Sequence, residues 1–140
     1  MAINFNYELD FKLDSEPEYS DWIARIITSE SRSFSEMSFI FCNDDYLLKL
    51  NKEFLNHDTL TDIITFDYTE DAVISGDIFI SIERVKENAS ELGTQFDEEI
   101  LRVMAHGVLH LMGYKDKKAT DRAIMREKEN DKIKMFHVEH

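Results

Sequence analysis

Two histidines four residues apart, in residues 106–116 (HGVLHLMGYKD), constrain this chain more than any other feature. At that spacing His106 and His110 share one face of a helix, with Cβ atoms roughly 5–6 Å apart. Their imidazole nitrogens can then converge on one ion at about 2.0–2.1 Å. Gly113 ends the helix by allowing a left-handed backbone, and the chain folds back. Asp116, three residues further on, supplies a third ligand from the returning loop. Three protein ligands leave one coordination position open, which marks a catalytic site rather than a closed structural one. The expectation is one divalent ion, zinc or another transition metal, used for hydrolysis by activating water and polarising the bond under attack. His106 and His110 are thus catalytic residues as well as ligands.

The spacing matches the metzincin pattern His-Glu-x-x-His-x-x-Gly-x-x-His, with Asp116 standing where that pattern has its last histidine. The metalloprotease needs a glutamate directly after its first histidine as general base. Gly107 occupies that position, so peptide hydrolysis by that route is disfavoured. His137 and His140, near the end of the chain, have no comparable setting and read as solvated.

At 140 residues the chain is expected to form a single domain, residues 1–140, with a core that needs no disulfides. No apolar run approaches the ~20 residues of a membrane helix. The first residues lack the basic start and apolar run of a secretory signal, so they read as mature structure. The one cysteine, Cys42, sits in FIFCN and reads as a buried, inert thiol. A cytoplasmic location is the expectation.

Net charge is −13, which argues at first against a nucleic-acid partner. Its distribution reverses that. Residues 102–134 hold nine basic residues against five acidic ones, whereas residues 1–101 hold seven against twenty-three. Residues 126–134 read as a solvated helix face with Lys and Glu interspersed. Lys115, Lys117 and Lys118, in a loop beside the histidines, suit an anionic substrate.

Along the chain, residues 3–13 alternate like a strand. Pro17 opens a helix striped by Trp22, Ile23, Ile26 and Ile27. A short strand follows at residues 38–42, then a helix capped by Asn43 or Asp44 with Leu47, Leu48 and Phe54 on its apolar side. Residues 63–66, and residues 78–82 after a turn at Gly76, suggest two more strands. Helices are expected at residues 83–92, closed by Gly93, and up to about residue 112, opened by a Thr94–Asp97 capping box. A last helix covers residues 120–135. The fold class is α+β: a small mixed four-stranded sheet packed with about five helices, the metal site at the end of the helix bearing the histidines.

These motifs resemble the YbeY family of bacterial metal-dependent endoribonucleases. That family's signature is His-Gly-x-Leu-His-Leu-x-Gly-Tyr-Asp-His, against HGVLHLMGYKD here. Residues 50–68, LNKEFLNHDTLTDIITFDY, look like its Leu-Asn-x-x-Tyr-Arg…Thr-Asp-Val-Leu-Ser-Phe segment, and Gly76-Asp77-Ile78 like its Gly-Asp-Ile strand. The resemblance covers essentially the whole chain. It implies a zinc-dependent endoribonuclease selective for single-stranded RNA. Its substrate is the 3′ end of small-subunit ribosomal RNA, its partner the small subunit, and its role includes ribosome quality control; neither DNA nor a membrane is implied. Carried over by position, His106 and His110 are ligands and position 116 the third.

Two departures stand out. Asp116 replaces a histidine, and its charge makes the ion a weaker Lewis acid, which favours a higher pH optimum or a harder metal such as manganese. Leu55 stands where the family has an arginine that faces the substrate, and a cation there stabilises developing charge. Lys115 or Lys117 is the expected substitute, and His57 a weaker candidate for acid–base work. The competing readings are a protease-like or other metal hydrolase, and a non-catalytic ribosome-associated factor.

Overall fold

The computed structural model describes residues 2–55 and 61–139, with side chains to His137. The elements are β1 (Ala2–Tyr7), α1 (Glu16–Ser29), β2 (Ser33–Cys42), α2 (Asp44–Leu50) continued by a π turn (Asn51–Leu55), β3 (Ile63–Asp67), β4 (Val73–Ser81), α3 (Ile82–Leu92), α4 (Phe96–Leu111) and α5 (Ala119–Glu139). The sheet order is β1-β2-β4-β3. β1 and β4 run parallel to β2, and β3 is antiparallel to β4. This is the mixed four-stranded α+β architecture expected from the sequence.

Alternation along the strands decides which face is buried. Met37, Phe39 and Phe41 of β2 and Ile74, Ile78 and Ile80 of β4 are completely buried and join one core with α1, α4 and α5. On the opposite face a smaller cluster of Cys42, Leu47 and Ile64 lies under α2, flanked by Phe66 and Phe79. Cys42 is buried, and burial pushes its thiol up to about 12, so it is inert as expected.

α4 is buried along most of its length, and it reaches the sheet at Gly107. A Cβ at Gly107 would lie 2.9 Å from Ile63 Cδ1 and 3.0 Å from Ile78 Cγ2. The missing side chain is what lets the helix backbone approach the sheet this closely. A glutamate at this position would point into apolar core, so the residue that a metalloprotease needs has no room here.

The structure differs from the sequence expectations at several boundaries. β1 ends at Tyr7 rather than near residue 13, because Tyr7 pairs with Phe41, one residue from the end of β2. Residues 8–13 turn back instead, burying Leu13 and setting Phe11 against Phe41 and Phe96. β2 starts at Ser33, five residues earlier than expected, since Ser33 and Phe34 pair with Val73 and Ile74 of β4. Gly76 lies inside β4, not at a turn. A Cβ there would meet the Phe66 carbonyl oxygen at 2.6 Å, so this is a close-approach position. The turn falls between β3 and β4, with Asp71 at φ 56°. Ile82 opens α3 rather than ending β4, and Ser81 caps it by accepting from the Arg84 amide. The Thr94–Asp97 capping box does not form. Gln95 is the N-cap of α4, and the Thr94 amide instead closes α3 on the Ala89 carbonyl.

Candidate metal centre

α4 holds His106 and His110 one turn apart, with ring centroids 4.5 Å apart and planes at 82°. Gly113, at φ 98°, reverses the chain, and the Tyr114 amide donates back to the Leu109 carbonyl at 3.0 Å. The returning loop sets one carboxylate oxygen of Asp116 3.2 Å from Nε2 of both histidines. Ligand atoms of all three residues lie within 4.8 Å of one another. Bonds of about 2.0–2.1 Å in a tetrahedral site put neighbouring ligand atoms roughly 3.3 Å apart, so the spacing fits a zinc-sized ion.

The hydrogen bonds behind the histidines point the same way. His110 Nδ1 lies 2.9 Å from the Tyr114 carbonyl oxygen, which only accepts, so Nδ1 carries the proton. His106 Nδ1 lies 2.7 Å from Glu129 Oε2 and donates to it likewise. Both Nε2 lone pairs are left facing the Asp116 carboxylate. Three electron-rich groups at such spacing repel unless a cation lies among them. Burial works against charging His106, yet the hydrogen bond and charge of Glu129, with Asp116 and Asp62, raise its pKa above the ordinary histidine value. The pocket favours positive charge.

Sequence reasoning missed the residues that support this arrangement. Glu129 and Lys132 are 5% exposed, which corrects the expectation of a solvated face over residues 126–134. Glu129 falls between buried Met125 and Ile133 at intervals of four, and an acid centred in an apolar helical stripe was the available signal. Arg102 Nη1 donates to Glu129 at 3.0 Å and Nη2 to Asn130 at 2.9 Å, neutralising the buried carboxylate. Behind His110, the Tyr114 hydroxyl donates to Glu30, which also accepts from Lys128 at 3.1 Å and Lys132 at 2.8 Å. Burial alone would raise the pKa of Glu30, but these donors outweigh it and hold the carboxyl down at about 2.

A cavity of about 310 Å³ opens beside His106, with His106, Asp116, Asp62, Glu99, Arg102 and Arg126 among its walls. Burial raises the carboxyl pKa of both Asp62 and Glu99. Lys115 and Lys117 are exposed on the loop around Asp116 and do not line this cavity. Leu55 is exposed at the end of the π turn, and His57 lies outside the described residues.

Comparison with known proteins gives the same picture. A family model described as endoribonuclease YbeY matches residues 4–137. The chain is 57% identical to the endoribonuclease YbeY of Flavobacterium johnsoniae over 137 residues, 98% of this chain and 99% of the relative. It is 53% identical to that of Christiangramia forsetii, over 98% and 96%. At 42% identity it still matches that of Bacteroides thetaiotaomicron over 84% and 86% of the two chains. A solution structure of a Thermotoga maritima protein superposes with a TM-score of 0.68 and 27% identity, over 99% of this chain and 91% of that one. With the expected motifs folded into one site and relatives matched almost end to end, the chain belongs to the endoribonuclease YbeY family.

Proposed function

We propose that this endoribonuclease cuts single-stranded ribosomal RNA, at the 3′ end of the small-subunit species, using one zinc ion on His106, His110 and Asp116. Maturation and quality control of the small ribosomal subunit, in the cytoplasm, are the corresponding role. One observation carries the reading: two Nε2 atoms with Nδ1 otherwise engaged, each 3.2 Å from the same carboxylate oxygen. No helix among the described residues is long and apolar enough to cross a membrane.

A bound divalent ion supplies Lewis acidity and a water acidified toward neutral pH. The chain's own residues do the rest. Glu129 and the Tyr114 carbonyl hold the two imidazoles in the tautomer and orientation that present Nε2. Asp116, the more exposed of the three, comes from the loop and closes the third side. Arg102 pairs with the Glu129 carboxylate and holds it in place behind His106. Lys115 and Lys117, exposed on either side of Asp116, add sequence-independent phosphate contacts to the RNA.

The test sets metal-loaded protein against labelled single-stranded RNA, an unstructured protein and isolated small subunits, beside elemental analysis of the purified protein. One zinc per chain is expected, with cleavage of RNA only, and loss of both in His110→Ala. Protein cleavage, or subunit binding with no cleavage of any RNA, would refute the proposal.

A further inference from the structure

The cavity at the histidines does not end there. A second cavity of about 180 Å³ shares Glu99, Arg102 and Arg126 with it and continues toward Leu92 and Thr94, at the end of α3. The shared walls place the two cavities side by side, as a groove over α4 and α5. A polyanion entering this groove meets five carboxylates, those of Asp62, Glu98, Glu99, Asp116 and Glu129, and two guanidinium groups. Glu129 is engaged with His106 and Arg102, and Asp116 faces both histidines. Arg102 in turn has both outer nitrogens occupied, by Glu129 and Asn130.

Arg126 differs from Arg102. It lines both cavities, its side chain is 58% exposed, and its nearest carboxylate oxygen among the described residues, on Glu129, is 3.8 Å away. At that distance and exposure the pairing is weak and leaves most of its five donors for another partner. The loop lysines, Lys115 and Lys117, line neither cavity. We infer that Arg126 binds a backbone phosphate of the RNA next to the one being cut, and so positions the strand along the groove. This rests on the ribonuclease function proposed above. A guanidinium grips a phosphate with two parallel hydrogen bonds and cannot lose its charge, which suits a positioning contact in an otherwise acidic groove.

The test measures binding and cleavage separately. Binding of a fluorescent phosphorothioate single-stranded RNA to zinc-loaded protein is followed by anisotropy across a salt series, and KM and kcat are measured on the cleavable RNA. Losing one phosphate contact lowers the slope of log affinity against log salt by about 0.7 and weakens binding about fivefold at 0.1 M salt. Arg126→Ala is expected to show both, with the loss falling mainly on KM. Arg126→Lys should recover much of the affinity, Arg126→Glu should bind worse than Arg126→Ala, and Lys134→Ala, an exposed cation outside the groove on the same helix, should match the unaltered protein. Should Arg126→Ala lose zinc or fold poorly, Arg126→Lys against Arg126→Gln makes the same comparison. An unchanged salt slope in Arg126→Ala, or an equal loss in Lys134→Ala, overturns the inference. Unaltered protein that binds RNA with the Arg126-dependent slope but never cuts it overturns the proposed catalysis and leaves the inference standing.

Discussion

His106 is held from behind by a buried carboxylate that is itself held by an arginine, so its ring has little freedom to leave the position seen here. Carboxylates behind metal-binding histidines typically contribute 10- to 100-fold to metal affinity. Glu129→Gln should therefore lose affinity in that range while the fold persists, as measured by zinc competition with a chelator and by circular dichroism. Unchanged zinc affinity would show that Glu129 serves packing alone. Asp116 sets a second expectation. A carboxylate ligand donates more charge than imidazole and leaves the ion a weaker Lewis acid. Asp116→His should move the pH optimum for cleavage downward and raise the preference for zinc over manganese. A metal-by-pH profile identical to that of the unaltered enzyme would sink this idea.

The helices position the site through two contacts, one in the C-terminal part of α4 and one just beyond it. At Gly107 the helix lies against Ile63 and Ile78, close enough that one methyl group has no place. Alanine gains up to ~1 kcal/mol in helix propensity over glycine, whereas overpacking costs typically 1–3 kcal/mol. Ile78 Cγ2 sits on the branched carbon and cannot swing away cheaply, so packing wins. Gly107→Ala should lose roughly 1 kcal/mol in urea unfolding, and an increase in stability would contradict the packing account. Just past the C-terminus of α4, Glu30 ties the end of α1 to Tyr114 and to Lys128 and Lys132 of α5. Its carboxyl is depressed from the usual 4.5 to about 2, so its contribution is complete above pH 4.5 and is lost as pH falls toward 2. A shift of that size corresponds to on the order of 3 kcal/mol. Glu30→Gln should lower stability at neutral pH and flatten its fall between pH 4.5 and 2. If both proteins lose stability in parallel through that window, Glu30 is not the group responsible.

For the molecule as a whole, binding of an ion to the folded state alone stabilises it by mass action, about 2.7 kcal/mol at a hundredfold excess over Kd. Chelation should lower the Tm by several degrees, and Asp116→Ala should lack that response; equal chelator sensitivity in both would place the ion elsewhere. Most of the architecture was legible in the sequence, because strand alternation and helix spacing are local consequences of which side chains avoid water. The spacing of His106, His110, Gly113 and Asp116 was legible for the same reason, since one helical turn and one reversal bring them together. What local pattern could not supply were partners distant in sequence. β1 stops at Tyr7 because β2 runs out beside it, and Gly107 is glycine because a sheet lies there. Glu129 and Lys132 looked like solvated charges until α5 packed on α4 and α1 and buried them. The sequence by itself determined the three groups that converge and the elements that carry them. Only the tertiary structure decided what stands behind those groups and which cations share their cavity, because desolvation and hydrogen bonding across 23 to 102 residues of chain depend on packing.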